Sequence, residues 1–539
     1  MTDLPSSAAL IDHIRVSVIG DNSLIPTPFG CKPLVYADYT ASGRSLQFIE
    51  NFIMQRVLPF YANTHTMTSY TGAQTTALRE QARQEIRQAV NARQDDSVIF
   101  CGSGATAAIN KLIDILNLRL PADLNARYQL EQHIPLEERP VVFIGPYEHH
   151  SNEIPWRESI AELVNIPLDA TGMLDLAVLE VQLKRYQHRQ LKIGSFSAAS
   201  NVTGLKTDVQ AVTRLLHQYQ AHSFWDYAAA APYVPINMAS DDAQSGDSSI
   251  DAVFIAPHKF IGGPGTPGIL IVKQALLNNS VPAVPGGGTV VYVTPEDHRY
   301  IDNSERREEG GTPAIVESIR AGLVFKLQQA VGTDVIAQRE ADFIARALAR
   351  WQQCDAIEIL GNPSAPRLSI TSLRIKHQGK DLHYGFVAAL LNDLFGIQAR
   401  GGCSCAGPYG HSLLAMDMEY SKAIETQLLA GHMILRPGWV RLNFNYFIDE
   451  ATFEYIVRAV ELVAEHGWRL LPFYHFDCSG VWCYQQQNTP LCTHLDDLDF
   501  NALASTPNNE LGNELSSEPI SESSREKVSL SETLALAKE

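Results

Sequence analysis

The chain has 539 residues, 45% of them hydrophobic, enough to bury a large core and to divide into roughly two to four structural units. Its formal net charge of −18 and pI near 5.4 exclude non-specific attraction to nucleic acid or to anionic membrane surfaces. No run of apolar residues is long enough to span a bilayer, no basic stretch precedes an apolar core at the N-terminus, and the 8 cysteines are too sparse for a disulfide scaffold, so a cytoplasmic protein is expected.

Residues 34–43, Leu-Val-Tyr-Ala-Asp-Tyr-Thr-Ala-Ser-Gly, predict a short strand entering a small-residue turn, and residues 46–58 a helix with apolar positions at helical spacing. The stretch 61–72 is too polar and hydroxyl-rich to be core. It reads as a binding loop, with His65 as a substrate contact, although a solvated connector has the same composition. Residues 76–90 predict a helix.

A strand at 97–101 runs into the Gly-rich turn Gly102-Ser-Gly-Ala-Thr106 and an amphipathic helix at 107–118. A helix N-terminus reached through glycine presents free N–H groups and the positive dipole end, which suits a phosphate. The turn also matches a dinucleotide fingerprint, but the acidic residue expected about twenty positions on is missing. A phosphate cradle for a smaller cofactor remains.

The strand beginning at Pro140 ends in Glu148-His149-His150-Ser151-Asn152. Adjacent histidines on an extended backbone diverge, so they rarely share a metal, and no metal site is expected; a flat imidazole at a strand end can stack on a ring. The next strand, from Leu191, leads to Asn201 and a helix at 209–221; the strand 223–226 then ends in Asp226. A carboxylate just past a buried strand can keep a heteroaromatic nitrogen protonated, because an ion pair is stronger away from water. Residues 251–272 follow, an apolar strand delivering His258 and Lys259 into a Gly/Pro-rich loop before a second strand. A lysine desolvated there has its pKa lowered and offers a free amine as nucleophile, unless it merely caps the strand in solvent. Alternating strands and helices with functional groups at the strand ends describe an open α/β sheet with its site along the carboxyl edge.

Beyond loops at 285–289 and 306–313, residues 314–352 predict a long helical region. Strands at 368–375 and 440–444, with helices at 383–394 and 452–466, predict a smaller domain, and between them lies Arg400-Gly-Gly-Cys-Ser-Cys-Ala-Gly-Pro408. The tail 493–539, with ten acidic and three basic residues and no aromatic after Phe500, predicts disorder.

Together these motifs resemble the class V aminotransferase group of fold-type I pyridoxal-phosphate enzymes, most closely its cysteine desulfurase and selenocysteine lyase branch. The likeness spans residues 34–466 and its motifs arrive in the family's order: Tyr36-Ala-Asp-Tyr-Thr-Ala-Ser, Gly104-Ala-Thr, Glu148-His-His-Ser-Asn, Ser200-Asn-Val-Thr-Gly, Asp226, His258-Lys259, Gly311-Thr312-Pro, the Arg400 to Pro408 stretch and Val440-Arg441-Leu. It implies a large domain with a mostly parallel seven-stranded sheet between helices and a smaller α+β domain. The division read from the chain is an N-terminal segment 1–45 packing with the small domain, a cofactor-binding domain 46–313, a small domain 314–470 with a mobile cysteine loop, an extension 471–492 and the tail.

The resemblance also implies roles. Lys259 joins pyridoxal 5'-phosphate as a Schiff base and later moves the substrate's α-proton; Asp226 pairs with the pyridine nitrogen; His149 stacks on the ring. Ala105, Thr106 and His258 hold the phosphate, Thr312 reaches the phosphate of a neighbouring subunit in a homodimer, Asn201 lies near the ring or substrate, and Arg441 clamps the carboxylate of a cysteine-like substrate. Cys405, with Cys403 as the other candidate, takes the sulfur (or selenium) as a persulfide and passes it to a sulfur-acceptor protein. The alternative is a C–S lyase, epimerase or aminotransferase-like enzyme in which the loop cysteine is not catalytic. This chain departs from the family pattern at Ala229, Ala256, Cys403 and Ser404, and inserts residues 409–437 before Arg441.

Overall fold

The structure is a computed structural model and describes residues 7–64, 66–239, 241–242, 246–485, 493–500 and 529–538. Its centre is a seven-stranded sheet of β1 (Asp96–Cys101), β2 (Val141–Ile144), β3 (Glu162–Asn165), β4 (Lys192–Ser197), β5 (His222–Asp226), β6 (Ala252–Ile255) and β7 (Gly268–Lys273), in the order β1-β7-β6-β5-β4-β2-β3. Only β7 runs antiparallel to its neighbours. Strands such as β2 and β6 are continuous apolar runs buried at every position, as expected where helices cover both faces of a parallel sheet. Expectation and structure agree here, and Asp226 and Lys259 emerge together at the carboxyl ends of adjacent strands.

The edge strand β1 is closed off by side chains. Helix α1 (Tyr70–Ala89) carries Arg79, Arg83 and Arg87 on one face, while α2 (Gly104–Ile115), α3 (Val209–Gln218) and α4 (Ser304–Arg307) follow in the chain. Glu305, in α4, accepts from Val98 N (2.8 Å) and Glu309, just beyond it, from Phe100 N (2.7 Å), so two carboxylates cap the exposed N–H groups of the edge. Arg79 and Arg83 reach Glu309 at 2.7 and 2.9 Å, Arg87 reaches Glu305 at 2.8 Å, and Arg83 also donates to Val98 O. Helix α1 begins earlier than its sequence predicts. Ser69 caps it by accepting from Gly72 N (3.2 Å), so residues 70–72 of the expected polar loop form its first turn.

The predicted long helix is two, α5 (Ile315–Val331) and α6 (Thr333–Trp351), broken at Gly332. They lead into the smaller sheet, where β8 (Ile357–Ile359), β9 (Ile370–His377), β10 (Arg400–Gly402) and β11 (Trp439–Asn443) pair antiparallel in the order β8-β9-β11-β10. Helix α7 (Tyr384–Phe395) packs against this sheet; the inserted segment takes in most of α8 (Gly407–Leu413) and all of α9 (Met418–Leu429); α10 (Glu450–His466) closes the layer. Val35 and Tyr36 pair with Ile397 and Gln398, which ties the N-terminal segment to this half. Residues 474–484 form a hairpin whose Trp482 ring lies 5.3 Å from Phe386. The disorder expected for the tail fails at its end: α11 (Leu530–Leu536) sits on α10 with Thr533 fully buried. Leu530, Leu534 and Ala537 recur at helical spacing and pack on the core. Composition averaged over the tail hides that stripe; the expectation for 501–528 lies outside the described residues, as do those for His65 and Cys492.

Candidate active site

A cavity of about 700 Å³ opens at the carboxyl edge of the large sheet, lined by Lys259, Asp226, His149, Asn201, Arg441 and Cys405 among others. Lys259 follows β6 through the tight turn Pro257–Lys259, which is held from the other side by Gly43 N donating to His258 O (2.7 Å). Burial pushes the Lys259 amine down to about 8, against the pull of Asp226 and with help from the Arg441 and Arg400 guanidiniums. Asp226, only 4% exposed, has its carboxyl raised above the usual range by burial, while the Ala228 N–H (2.8 Å) and Lys259 work the other way. Charge here lies in a buried acid and a poised amine.

His149 Nδ1 accepts from Ser151 N (3.1 Å) and contacts Ser151 Oγ (3.0 Å), and Ser151 Oγ in turn lies 2.6 Å from Thr106 Oγ1. Burial and Lys259 push both His149 and His258 down to about 4, so each ring is neutral near pH 7. Ala105 and Thr106 stand in the first turn of α2, whose N-terminus no side chain caps. Gly104 turns the chain into it at φ +55, and a Cβ there would lie 3.2 Å from the His258 ring, so glycine is needed for both backbone and space.

At the other end, Arg441 Nη2 donates to Asp38 Oδ1 (2.9 Å) and Nη1 to Asn201 O (3.0 Å), while its buried Nε has no partner among the described residues. Arg400 Nε donates to Asp38 Oδ2 (3.0 Å), so one carboxylate bridges both arginines. Asn201 Nδ2 donates to Ser404 O (2.8 Å), leaving its buried Oδ1 unpaired among the described residues, beside the cavity.

The two histidines divide their work. His149 faces the cavity, whereas His150 N donates to Cys405 O (2.8 Å) and His150 Nε2 accepts from Gly407 N (3.0 Å). The cysteine stretch is therefore clasped at Ser404, Cys405 and Gly407. Two glycines that lead into it are strand residues: Gly401 and Gly402 in β10 pair with Val440 and Trp439, and a Cβ on Gly401 would meet the Tyr384 ring at 2.8 Å.

Thr312 is exposed and outside the cavity lining, 3.5 Å from Asn63 Nδ2. Missed by sequence reasoning as site residues were Ser151, Asp38, Arg400 and Glu148. The last is buried behind His149, accepts from Ser197 and Asn152, and is pushed up to about 7 by that burial. All four sit inside motifs singled out above; what the motif spacing lacks is the direction of each side chain.

The sequence pattern of the family described as Aminotransferase class-V matches residues 35–421. The chain belongs to the class V aminotransferase family. Among curated relatives, a protein named "Probable cysteine desulfurase" from Staphylococcus aureus (strain Mu50 / ATCC 700699) is 27% identical over 395 residues, covering 72% of this chain and 87% of the relative. One of the same name from Staphylococcus epidermidis (strain ATCC 12228 / FDA PCI 1200) is 26% identical over 396 residues, covering 73% and 88%. In three dimensions, this class V chain is similar to the apo cysteine desulfurase from Thermococcus onnurineus NA1, with a TM-score of 0.66 and 20% identity over 84% of this chain and 97% of the other. The cysteine desulfurase CsdA from Escherichia coli gives 0.61 and 20%, over 80% and 94%. The fold is the fold-type I architecture expected.

Proposed function

We propose that this chain is a pyridoxal-phosphate-dependent enzyme that takes sulfur, or selenium, from cysteine or selenocysteine. The observation that carries this reading is that Cys405 lines the same cavity as Lys259, Asp226 and His149. The relatives named as cysteine desulfurases support it.

The donor set fits the cofactor. Lys259 supplies an amine for its aldehyde, Asp226 a buried acid for its ring nitrogen, and His149 a neutral ring for its face. The uncapped start of α2, with Ala105, Thr106, Ser151 and His258, supplies polar contacts for its phosphate, and the unpaired Asn201 Oδ1 supplies a polar atom at the cavity wall. Ala256 and Ala229 line the cavity without side-chain donors, so the phosphate contacts would fall to Ser151 and Thr106. When bound, pyridoxal phosphate withdraws electrons from the substrate's α-carbon.

Arg441 orients the substrate carboxylate, and Asp38 holds Arg441 and Arg400 in register until that carboxylate arrives. Lys259, its pKa lowered to about 8 by burial, carries the α-proton. The Cys405 thiolate attacks the substrate sulfur; the S–S bond forms as the Cβ–S bond breaks, and the electron pair left on carbon takes up a proton to give alanine. A thiolate on a sulfur-acceptor protein then attacks the outer sulfur of the persulfide, and Cys405 leaves as thiolate. Replacing Cys405 by Ser is expected to lower alanine release from cysteine by about 10²-fold or more, since a nucleophile is removed; unchanged release would favour a class V reaction in which the cysteine is a bystander.

A homodimer belongs to the same proposal. Exposed Met54, Phe60, Tyr70, Val291 and Tyr292 lie on stretches linked through the Asn63–Thr312 contact and the Gly311 N to Gly287 O bond (2.9 Å), which supports an apolar interface there. Thr312 would then face the partner's site. Sedimentation should give a dimer that Tyr292→Glu weakens; a monomeric wild-type protein would overturn this part. The seven described cysteines are all free thiols, which supports a reducing, cytoplasmic location.

A further inference from the structure

Beside the catalytic cavity lies a second one, of about 600 Å³, walled mostly by the inserted segment: Leu414, Met418, Ile424 and Leu428, with Trp439 behind. Cys403 lines it, whereas Cys405 lines the first. Residues two apart on an extended chain point the same way. These two diverge because Ser404 and Cys405 both adopt left-handed backbone, φ +53 and +55, in a turn closed by Ala406 N donating to Cys403 O (3.2 Å). Cys405 is exposed within the catalytic opening and Cys403 half-buried against Tyr409 and Trp439.

We propose that Cys403 is a second sulfur carrier, taking the sulfane sulfur from Cys405 and presenting it in the second cavity. This rests on the reading that Cys405 forms a persulfide. The Cys403 thiolate attacks the outer sulfur of the Cys405 persulfide, a new S–S bond forms at Cys403, and Cys405 leaves as thiolate. No oxidant or reductant is consumed. The reach is suitable, since Cα atoms two residues apart are at most roughly 7 Å apart, close to the span that an S–S bond bridges.

The geometry also supplies a reason for a relay. Cys405 is held by His150 N at its carbonyl, Ser404 by Asn201 Nδ2 and by Trp439 Nε1 (3.3 Å), and Gly407 by His150 Nε2. Carrying sulfur outward by swinging the loop would break these bonds, whereas exchange between thiols two residues apart asks only for rotation of the two side chains and local give in the turn. It also empties Cys405 for the next substrate without the acceptor having to enter the charged catalytic cavity. The inserted segment thereby acquires a purpose, as the wall of a separate exit.

The test is a burst experiment on the full-length protein loaded with pyridoxal phosphate, mixed with cysteine without acceptor thiol, alkylated and mapped by peptide mass spectrometry. Wild type is expected to release about two alanines per chain in the burst, with sulfane sulfur on both Cys405 and Cys403, because the exchange reopens Cys405 once. Cys403→Ser and Cys403→Ala are expected to stop at about one, with sulfur on Cys405 alone; using both guards against a packing defect in either. A wild-type burst of one with Cys403 unmodified at all times, or sulfur on Cys403 in Cys405→Ser, overturns the relay. No persulfide on Cys405 in any protein instead overturns the underlying reading.

Discussion

Replacing Lys259 by Ala is expected to abolish alanine formation from cysteine, by about 10⁴-fold, and to remove the visible absorbance of bound pyridoxal phosphate. The size of the effect follows from one group serving twice, as the amine that captures the aldehyde and as the carrier of the α-proton. Lys259→Arg should be as inactive as Lys259→Ala, since a guanidinium keeps the charge but cannot give up its proton. The pH dependence separates charge from nucleophilicity in the native protein. Burial lowers the amine to about 8, so the free-amine fraction, and with it the rate of cofactor uptake by apo protein, should rise about tenfold per pH unit below that value and level off above it. Retention of the visible band in Lys259→Ala would contradict the assignment.

Loss of the Glu309 carboxylate is expected to destabilise the protein more than any change in the site. Glu309 is buried against Arg79 and Arg83 and accepts the Phe100 N–H. Glu309→Ala strips Arg79 of that partner and exposes an edge N–H of β1, which should cost about 3–5 kcal/mol, measured by urea unfolding of the holo protein. Glu309→Gln retains an oxygen for Phe100 N and should fall between. Its pairing with the arginines holds the Glu309 carboxyl below its ordinary range despite burial. Its contribution is therefore complete above a pH of about 4.3, the ordinary carboxylate value, and is lost as pH falls through the lower folded value. A loss of less than about 1 kcal/mol in Glu309→Ala would show that Glu305 and water take over the edge.

Much of this molecule is legible in its sequence because the large sheet is buried on both sides. Such strands must be unbroken apolar runs, and their carboxyl ends must release polar residues, so Asp226, His149 and Lys259 stand out without any knowledge of their neighbours. Less legible was α1, where Ser69 and Gly72 belong to a helix start yet read as loop, since serine, threonine and glycine serve caps and turns alike. Nor could composition find α11, whose three apolar contacts are diluted by the charged tail around them.

The sequence by itself determined much of the order of strands and helices, the family and the inventory of reactive groups, because these depend on local period and on motifs within a few residues. Tertiary structure alone decided that His150 clasps the cysteine turn while His149 faces the cavity, that Asp38 bridges Arg400 and Arg441, and that Cys403 and Cys405 open onto different cavities. Each is a matter of side-chain direction across more than two hundred and fifty residues of chain or through a left-handed turn, and hydrophobic periodicity carries no record of either.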